Sequence, residues 1–532
     1  MHPSLPQTPP PATKPWTSHL LPLLVPLLAF SLFGWWRIDL PGLHGEEIGP
    51  MGPLLGWMVH GPFRFLFAGY HGPVEGLCSM PFVFVLGSSV GAVRLMPLLA
   101  AHGTIAALYG LAFRLSRNRG TAFAAALLFA LAPTFVAGTR VGLQSGAILL
   151  FFTLGAFFFG HAWLTSGRWR DLLLTAGFLA LGAGCRVWAV FFDASLFLAL
   201  LLTLPRSLFF FRKNARPLAA AGILFAAVAG TPYLIEYARG ADVLAAVTQR
   251  QAEHPSGFQK NAAACFRNIH RLIDGTGYFY DMASPPMKDA LNRQKIRLAG
   301  PAIFWSTLLF VVLKSLFHRP SVPPVLQFLA ALIVFHFSGN FLVSHPRTDY
   351  LFVLLPFMFL FLAVFWGRSF PARGKRRHLP LLLLSFFFVS RSLSVLRTYT
   401  THLAETGGWA EYSTTLTGLG ETVRCLGFRQ VFLPEGERPA GNTLRFLSAP
   451  HGQVQYIPAA AAVSERFLRA GPTTAFVGVH SWRSRRPGSI ASLIEKTAEQ
   501  QGYEKMSFFS FDDEPLADLF YKPIPARKKP SR

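Results

Sequence analysis

Apolar residues run in blocks of membrane-spanning length along roughly the first 397 positions of the chain. "SHLLPLLVPLLAFSLFGWW" is the first block, and about twenty apolar residues at 1.5 Å per residue cross a bilayer core. No small-residue cleavage site follows it and further blocks come after, so it reads as a transmembrane helix and not as a leader. The pattern predicts further spans near 91–113, 120–137, 142–164, 171–186, 188–205, 217–236, 300–317, 322–341, 349–367 and 379–396, about eleven in all. The two on either side of Cys185 are divided by almost no loop.

Past residue 397 the apolar blocks stop. "RQVFLP", "TTAFVGVH" and "KMSFFSF" read as strands, and "SIASLIEKTAEQQG" as an amphipathic helix closing at Gly502. The expected architecture is an α-helical polytopic membrane protein with a small C-terminal extracytoplasmic α/β domain. A Pro-rich, disordered N-terminus covers 1–17 and the transmembrane domain 18–397, with large outer loops at 37–90 and 237–299; the α/β domain covers 398–532. Within the outer loops, "IGPMGPLLGWMVHGPFRFLF" suits a short helix lying on the membrane surface, and "NAAACFRNIHRLI" has a helical pattern.

Composition supports the membrane reading. Hydrophobic residues make up 52% of the chain and charged residues only 14%, against roughly 25% charged in a soluble domain. The net charge of +24 would suit nucleic acid, but no RNA-binding or zinc-finger signature accompanies it, and nucleic acid is not expected as a partner. The basic residues instead sort by loop. Starting from a cytoplasmic N-terminus, the even-numbered spans end in "RLSRNRG", "SGRWRD", "PRSLFFFRKNARP", "KSLFHRP" and "GRSFPARGKRRH", while the opposite short turns carry one basic residue each, Arg140, Arg186 and Arg347. That asymmetry is the positive-inside pattern, and it puts both large loops and the C-terminal domain outside. The four cysteines lack metal or redox spacing; they are isolated thiols, or Cys78 and Cys265 pair in an oxidising compartment.

Candidate chemistry gathers on the outer side. "RIDLPGLHGEEIGP" breaks the first apolar block and carries Glu46 and Glu47 beside His44. Charge near the bilayer needs a partner, water or a function. A carboxylate here can act as a general base toward a hydroxyl, or be a solvated loop charge. Arg140, Arg186 and Arg347 sit where the positive-inside rule disfavours them, and guanidinium matches phosphate geometry. One such residue alone would be read as snorkelling; three beside an acidic pair point to a lipid-linked phosphate. His345 and Tyr350 adjoin Arg347 and are candidates to hydrogen-bond the phosphate or a sugar. His71, with Tyr70 and Glu75 in "GYHGPVEG", is a candidate to shape an acceptor entrance.

Several segments resemble the GT-C superfamily of polyprenyl-phosphate-sugar-dependent glycosyltransferases, in the branch of protein O-mannosyltransferases and lipid A aminoarabinose transferases. The likeness covers roughly residues 20–400. "GEE" stands where that family carries an Asp-Glu pair after its first span. "LGSSVGAVRLMPLL" is similar to the family's small-residue and Arg-Leu opening of the second span, and "LAPTFVAGTRVGLQSGAILLFF" to its Pro-Arg-apolar stretch. "GAGCRVWAVFF" is similar to a segment bearing a Lys or Arg near the donor phosphate, and "HPRTDYLFVLLPFMFL" to an Arg-Tyr-apolar-Pro segment. Three departures stand out. Glu46 replaces the usual Asp, Gln144 lies about where many relatives have a second outer-loop acid, and two residues separate Arg347 from Tyr350.

The resemblance implies a membrane glycosyltransferase of the cell envelope, in a bacterial inner membrane. It would move a sugar from a polyprenyl-phosphate carrier to a hydroxyl on a glycan, lipid or protein, with inversion. Glu46 and Glu47 would be catalytic, with Glu46 as the base. Arg186, Arg347, Arg140, Tyr350, His345 and His71 would bind substrate. No cofactor is implied with certainty; a divalent metal is compatible with the family, but Gln144 gives no support to a metal-bridging acid pair. The rival expectations are a transporter or lipid flippase, and an inactive scaffold of the same fold.

Overall fold

The computed structural model describes residues 17–44, 47, 72–141, 146–186, 188–203, 214–240, 257–277, 288–289, 299–318, 321–342, 348–368, 379–408, 414–434, 443–444, 446–447, 453–457, 462–468, 470, 473–479, 489–509 and 515–522. Each predicted span coincides with helix. The first is α1 (Thr17–Gly34); the chain then returns in α2 (Val74–Leu86) and α3 (Val90–Ser116). Helices α4 (Arg119–Ala130) and α5 (Pro133–Arg140) are one predicted span bent by 52°. Pro133 causes the break, since a proline cannot supply a mid-helix N–H and instead suits a first turn. The bundle continues with α6 (Ala147–Ser166), α7 (Trp169–Cys185), α8 (Ala189–Thr203), α9 (Ala215–Ala238), α10 (Phe258–Asp274), α11 (Ala299–Phe317), α12 (Pro324–Gly339), α13 (Thr348–Phe352), α14 (Leu355–Arg368) and α15 (Leu379–Thr406). Among the described residues, seven helices are long and apolar enough to cross a membrane, or eight with the bent pair. Two predicted spans, α1 and α8, are shorter apolar helices.

Two differences from the sequence expectation are physical. Residues 37–90 include α2, an apolar helix hidden from periodicity because it is hydrophobic nearly all round. Helix α15 runs on to Thr406 instead of stopping near 397, because Leu396, Tyr399 and Leu403 continue its buried stripe. The predicted surface helix within 47–68 lies outside the described residues.

Glycine holes receive phenylalanine knobs where α3, α6 and α7 meet. A Cβ on Gly103 would overlap the Phe151 ring, and one on Gly155 the Phe178 ring. Apolar helices in lipid gain little from the hydrophobic effect between themselves, so close packing of this kind carries the association.

The C-terminal unit starts at α16 (Thr414–Cys425). It holds β1 (Gln430–Pro434), β2 (Gln453–Ile457), α17 (Ala462–Leu468), β3 (Thr474–Val479), α18 (Ile490–Gln500), β4 (Glu504–Phe509) and β5 (Pro515–Tyr521). The strand order is β2-β1-β3-β5-β4, with β1 parallel to β2 and β3, and β5 antiparallel to β3 and β4. Ser489 caps α18 through its hydroxyl, and Gly502, where the sequence pattern closes the helix, follows at φ +68°. The two strands missed from sequence are β2, which alternates Gln with apolar residues at a sheet edge, and β5, which follows an acidic run.

The two ends of the bundle differ chemically. Arg94 and Arg114 both lie on α3, twenty residues apart, which is about 30 Å along a helix and about one bilayer core. Arg114 belongs to the basic end, where Arg368 donates to the Leu115 carbonyl at 2.6 Å. Arg94 belongs to the opposite end, with the acidic loop.

Candidate active site

The loop leaving α1 is short of regular structure, so its carbonyls need donors. Two buried guanidinium groups supply them. Arg140, at the end of α5, donates to the carbonyls of Phe33 (3.0 Å), Arg37 (2.8 Å) and Leu40 (2.7 Å). Its plane lies 5.4 Å from the Trp36 ring and 5.7 Å from the Tyr399 ring. Arg94, near the start of α3, donates to the carbonyls of Ile38 (2.9 Å), Pro41 (2.8 Å) and Gly42 (3.2 Å). Arginine is the residue for this task because its fork offers five fixed donors.

Arg94 spends its remaining donors on Glu47. Nε donates to Oε2 at 3.0 Å and Nη2 to Oε1 at 2.8 Å, with both side chains at 0% exposure. The His44 N–H also donates to Glu47 Oε1 at 3.1 Å, and the Glu47 N–H to the His44 carbonyl at 3.0 Å, so the acid folds back over its own turn. All five Arg94 N–H groups are satisfied, and both Glu47 oxygens accept. A bidentate pair this deeply buried holds a geometry; taking either partner away leaves an uncompensated charge.

A second buried pair lies apart from the first. Arg186, just past α7, donates from Nε to Glu75 Oε2 at 3.1 Å. Glu75 sits in the first turn of α2, not in a loop as the sequence suggested. Its place is set by a close backbone approach: the Gly72 N–H donates to the Cys185 carbonyl at 3.0 Å, and a Cβ on Gly72 would overlap the Gly184 carbonyl. Gly72→Ala is therefore expected to push the two strands of backbone apart and lower stability by about 1–3 kcal/mol. A melting curve of the purified variant checks it; an unchanged midpoint refutes the close-approach account.

Of the other sequence-predicted site residues, Tyr350 heads the segment before α14. Its ring lies 5.4 Å from Trp188, two residues past Arg186, and the His336 ring lies 3.0 Å from its carbonyl. Tyr350 and Arg186 thus belong to one neighbourhood. Glu46, His71, His345 and Arg347 lie outside the described residues, as does Gln144. The sequence reading missed Arg94 as a site residue, although "VRLMPLL" contains it; a lone arginine in a predicted span was the available signal. Among the described residues no three His, Cys, Asp or Glu side chains group to hold a metal, and Glu47 already serves Arg94. All four cysteines are free thiols, Cys78 and Cys265 included.

The fold joins a bundle of apolar helices, an Arg94–Glu47 lock in the loop after the first helix and a sheet-bearing C-terminal unit. Residues 71–235, less than half of the chain, match the family of dolichyl-phosphate-mannose-protein mannosyltransferases. The structure is similar to that of ArnT from Cupriavidus metallidurans in the apo state, with a TM-score of 0.61 and 10% identity over 94% of this chain and 98% of that one. The same enzyme bound to undecaprenyl phosphate matches with a TM-score of 0.62 and 10% identity, covering 97% and 99%. The archaeal oligosaccharyltransferase AglB from Archaeoglobus fulgidus, in complex with an inhibitory peptide and a dolichol-phosphate, matches at 0.51 and 11% identity, covering 96% of this chain and 76% of that one. At these identities the likeness is one of fold. No curated protein sequence matches significantly.

Proposed function

We propose that the chain transfers a sugar from a polyprenyl phosphate to an acceptor hydroxyl at the outer face of a bacterial inner membrane. The N-terminus would lie in the cytoplasm and the acidic loop and C-terminal unit outside. The observation that carries this reading is the division of labour it allows between the two adjacent acids. Glu47 has both oxygens engaged by Arg94 and the His44 N–H, so it is a poor base. That role falls to Glu46, the acid next to it in the sequence.

In this scheme Glu46 takes the proton of the acceptor hydroxyl as its oxygen attacks the anomeric carbon. The bond from that carbon to the phosphate oxygen breaks, the configuration inverts, and the lipid phosphate leaves with its negative charge. Arg347 and Arg186 balance the charge, Arg186 being oriented by Glu75. Preorganised cations at a developing charge supply several kcal/mol of barrier lowering. A lipid phosphate is a good leaving group, so no strong general acid is needed. Tyr350 and His345 would contact the donor, and His71 the acceptor path. We read Arg140, with its three carbonyl partners, as a staple for the α1 exit and give it no step in the scheme.

The test compares lipid-linked sugars and envelope glycans of cells with and without the gene. The transferase reading expects one lipid-linked sugar to accumulate and one glycan to disappear. Unchanged profiles, or loss of the glycan while purified protein in sealed vesicles moves lipid-linked sugar without releasing polyprenyl phosphate, would overturn it.

A further inference from the structure

The loop that carries the acids is held from a second direction, by the C-terminal unit. The Leu43 N–H donates to Thr417 Oγ1 on α16 at 2.9 Å, and the Leu43 carbonyl accepts from Thr443 Oγ1 at 3.2 Å. One residue earlier, the Gly42 N–H donates to the carbonyl of Gly407, just past the end of α15, at 3.3 Å. The Leu43 peptide groups are thus gripped on both sides by hydroxyls from a unit more than 370 residues away in the chain. Its neighbours belong to the catalytic loop: the Gly42 carbonyl is held by Arg94, and the His44 N–H by Glu47.

The gripping elements are themselves wedged. Thr443 and Leu444 precede Phe446 and Leu447 by a few residues. Leu444 packs into the core of the sheet, whereas Phe446 and Leu447 are buried in the core of the transmembrane bundle. Gly420 on α16 comes so close to Leu447 that a Cβ there would lie 2.8 Å from it. A cover resting on the bundle would touch it through side chains at a rim. Here main-chain groups of the catalytic loop are bonded directly, and the bonding residues are locked by apolar insertion on both sides.

We propose that the C-terminal α/β unit is a positioning element for the catalytic loop, and that Thr417 and Thr443 are its positioning residues, acting on the Arg94–Glu47 lock through the Leu43 peptide. The proposal rests on the transferase reading for its effect on rate, and it stands on the geometry for its effect on the loop. Loss of the grip lets the turn from Arg37 to Glu47 fluctuate, so the base samples unproductive positions, while the donor site around Arg186 keeps its own Glu75 support. Turnover should fall and donor affinity should not.

The experiment uses the full-length chain in lipid nanodiscs, with Thr417→Val, Thr443→Val and the conservative Thr417→Ser and Thr443→Ser. Hydrogen exchange over residues 37–47, read without any ligand, is expected to be about tenfold faster in the valine variants, since a buried N–H or carbonyl loses its partner. The serine variants should restore wild-type exchange. With a total polyprenyl-linked sugar extract of the native cells as donor and an envelope extract of cells lacking the gene as acceptor, kcat is expected to fall about tenfold to a hundredfold at unchanged donor KM. Unaltered exchange in both valine variants overturns the grip. Faster exchange with unaltered kcat overturns the positioning role, as does a parallel loss of donor KM. If the wild type itself shows no turnover, the transferase reading fails, and the exchange measurement alone then decides the grip.

Discussion

Glu46→Gln is expected to reduce sugar transfer by about a hundredfold to ten-thousandfold, the usual contribution of a positioned general base. Glutamine keeps the shape and the hydrogen-bonding capacity of the side chain but cannot take a proton. The substitution should therefore leave folding and donor binding near wild type while the chemical step slows. Glu47→Gln makes the contrast: its carboxylate is buried against Arg94, so that variant should lose melting temperature as well as rate. The two acids are adjacent in sequence, and the proposed mechanism gives them different tasks; thermal melts beside initial rates distinguish them. Wild-type turnover in Glu46→Gln would remove Glu46 as the base.

Arg94→Met should be the most damaging single change to stability. It strands the Glu47 carboxylate in a fully buried site and strips donors from the carbonyls of Ile38, Pro41 and Gly42. Breaking one member of a buried ion pair costs about 3–5 kcal/mol, before the orphaned carbonyls are considered. Adding Glu47→Gln to Arg94→Met removes the stranded charge and should recover part of the loss, a coupling that a double-mutant cycle in detergent-solubilised protein measures directly. Arg94→Lys should rescue poorly, because an ammonium cannot reproduce the fork that reaches two carboxylate oxygens and three carbonyls at once. Additive effects of the Met and Gln substitutions would show that the pair does not act as a unit.

The arginines show how far a sequence can be read. Arg140 and Arg186 drew attention because a cation in an apolar stretch must have a reason to be there. Both proved to be buried, as that argument demands. Their partners were another matter. Arg140 meets three carbonyls about a hundred positions earlier in the chain, and Arg186 meets Glu75, a residue that sequence placed in a loop at an acceptor entrance. Arg94 is the clearest case: "GAVRLMPLL" was visible as part of the family likeness, but nothing local marked its side chain as the anchor of the acidic turn. Spacing along a helix predicts neighbours three or four residues away; it is silent on pairs brought together by helix packing.

The C-terminal unit repeats the lesson with strands. β1, β3 and β4 announced themselves through apolar and β-branched residues, while β2 and β5 owe their assignment to their neighbours in the sheet. An edge strand such as β2 can be half polar, because only one of its faces and one of its edges need be buried.

What the chain determined by itself was the solvent it lives in, the number of apolar segments to within a few, the chemical difference between the two ends of the bundle and the acidic loop after the first helix. These follow from composition and local periodicity, since hydrophobic length and charge asymmetry act on each segment independently of the rest. The lock of Glu47 on Arg94, which arginine staples backbone and which faces the second acid, and the grip of the distant α/β unit on Leu43 were decided by the tertiary structure alone. Each depends on a buried polar group finding a partner, and in a packed bundle that partner is chosen by three-dimensional proximity and not by distance along the chain.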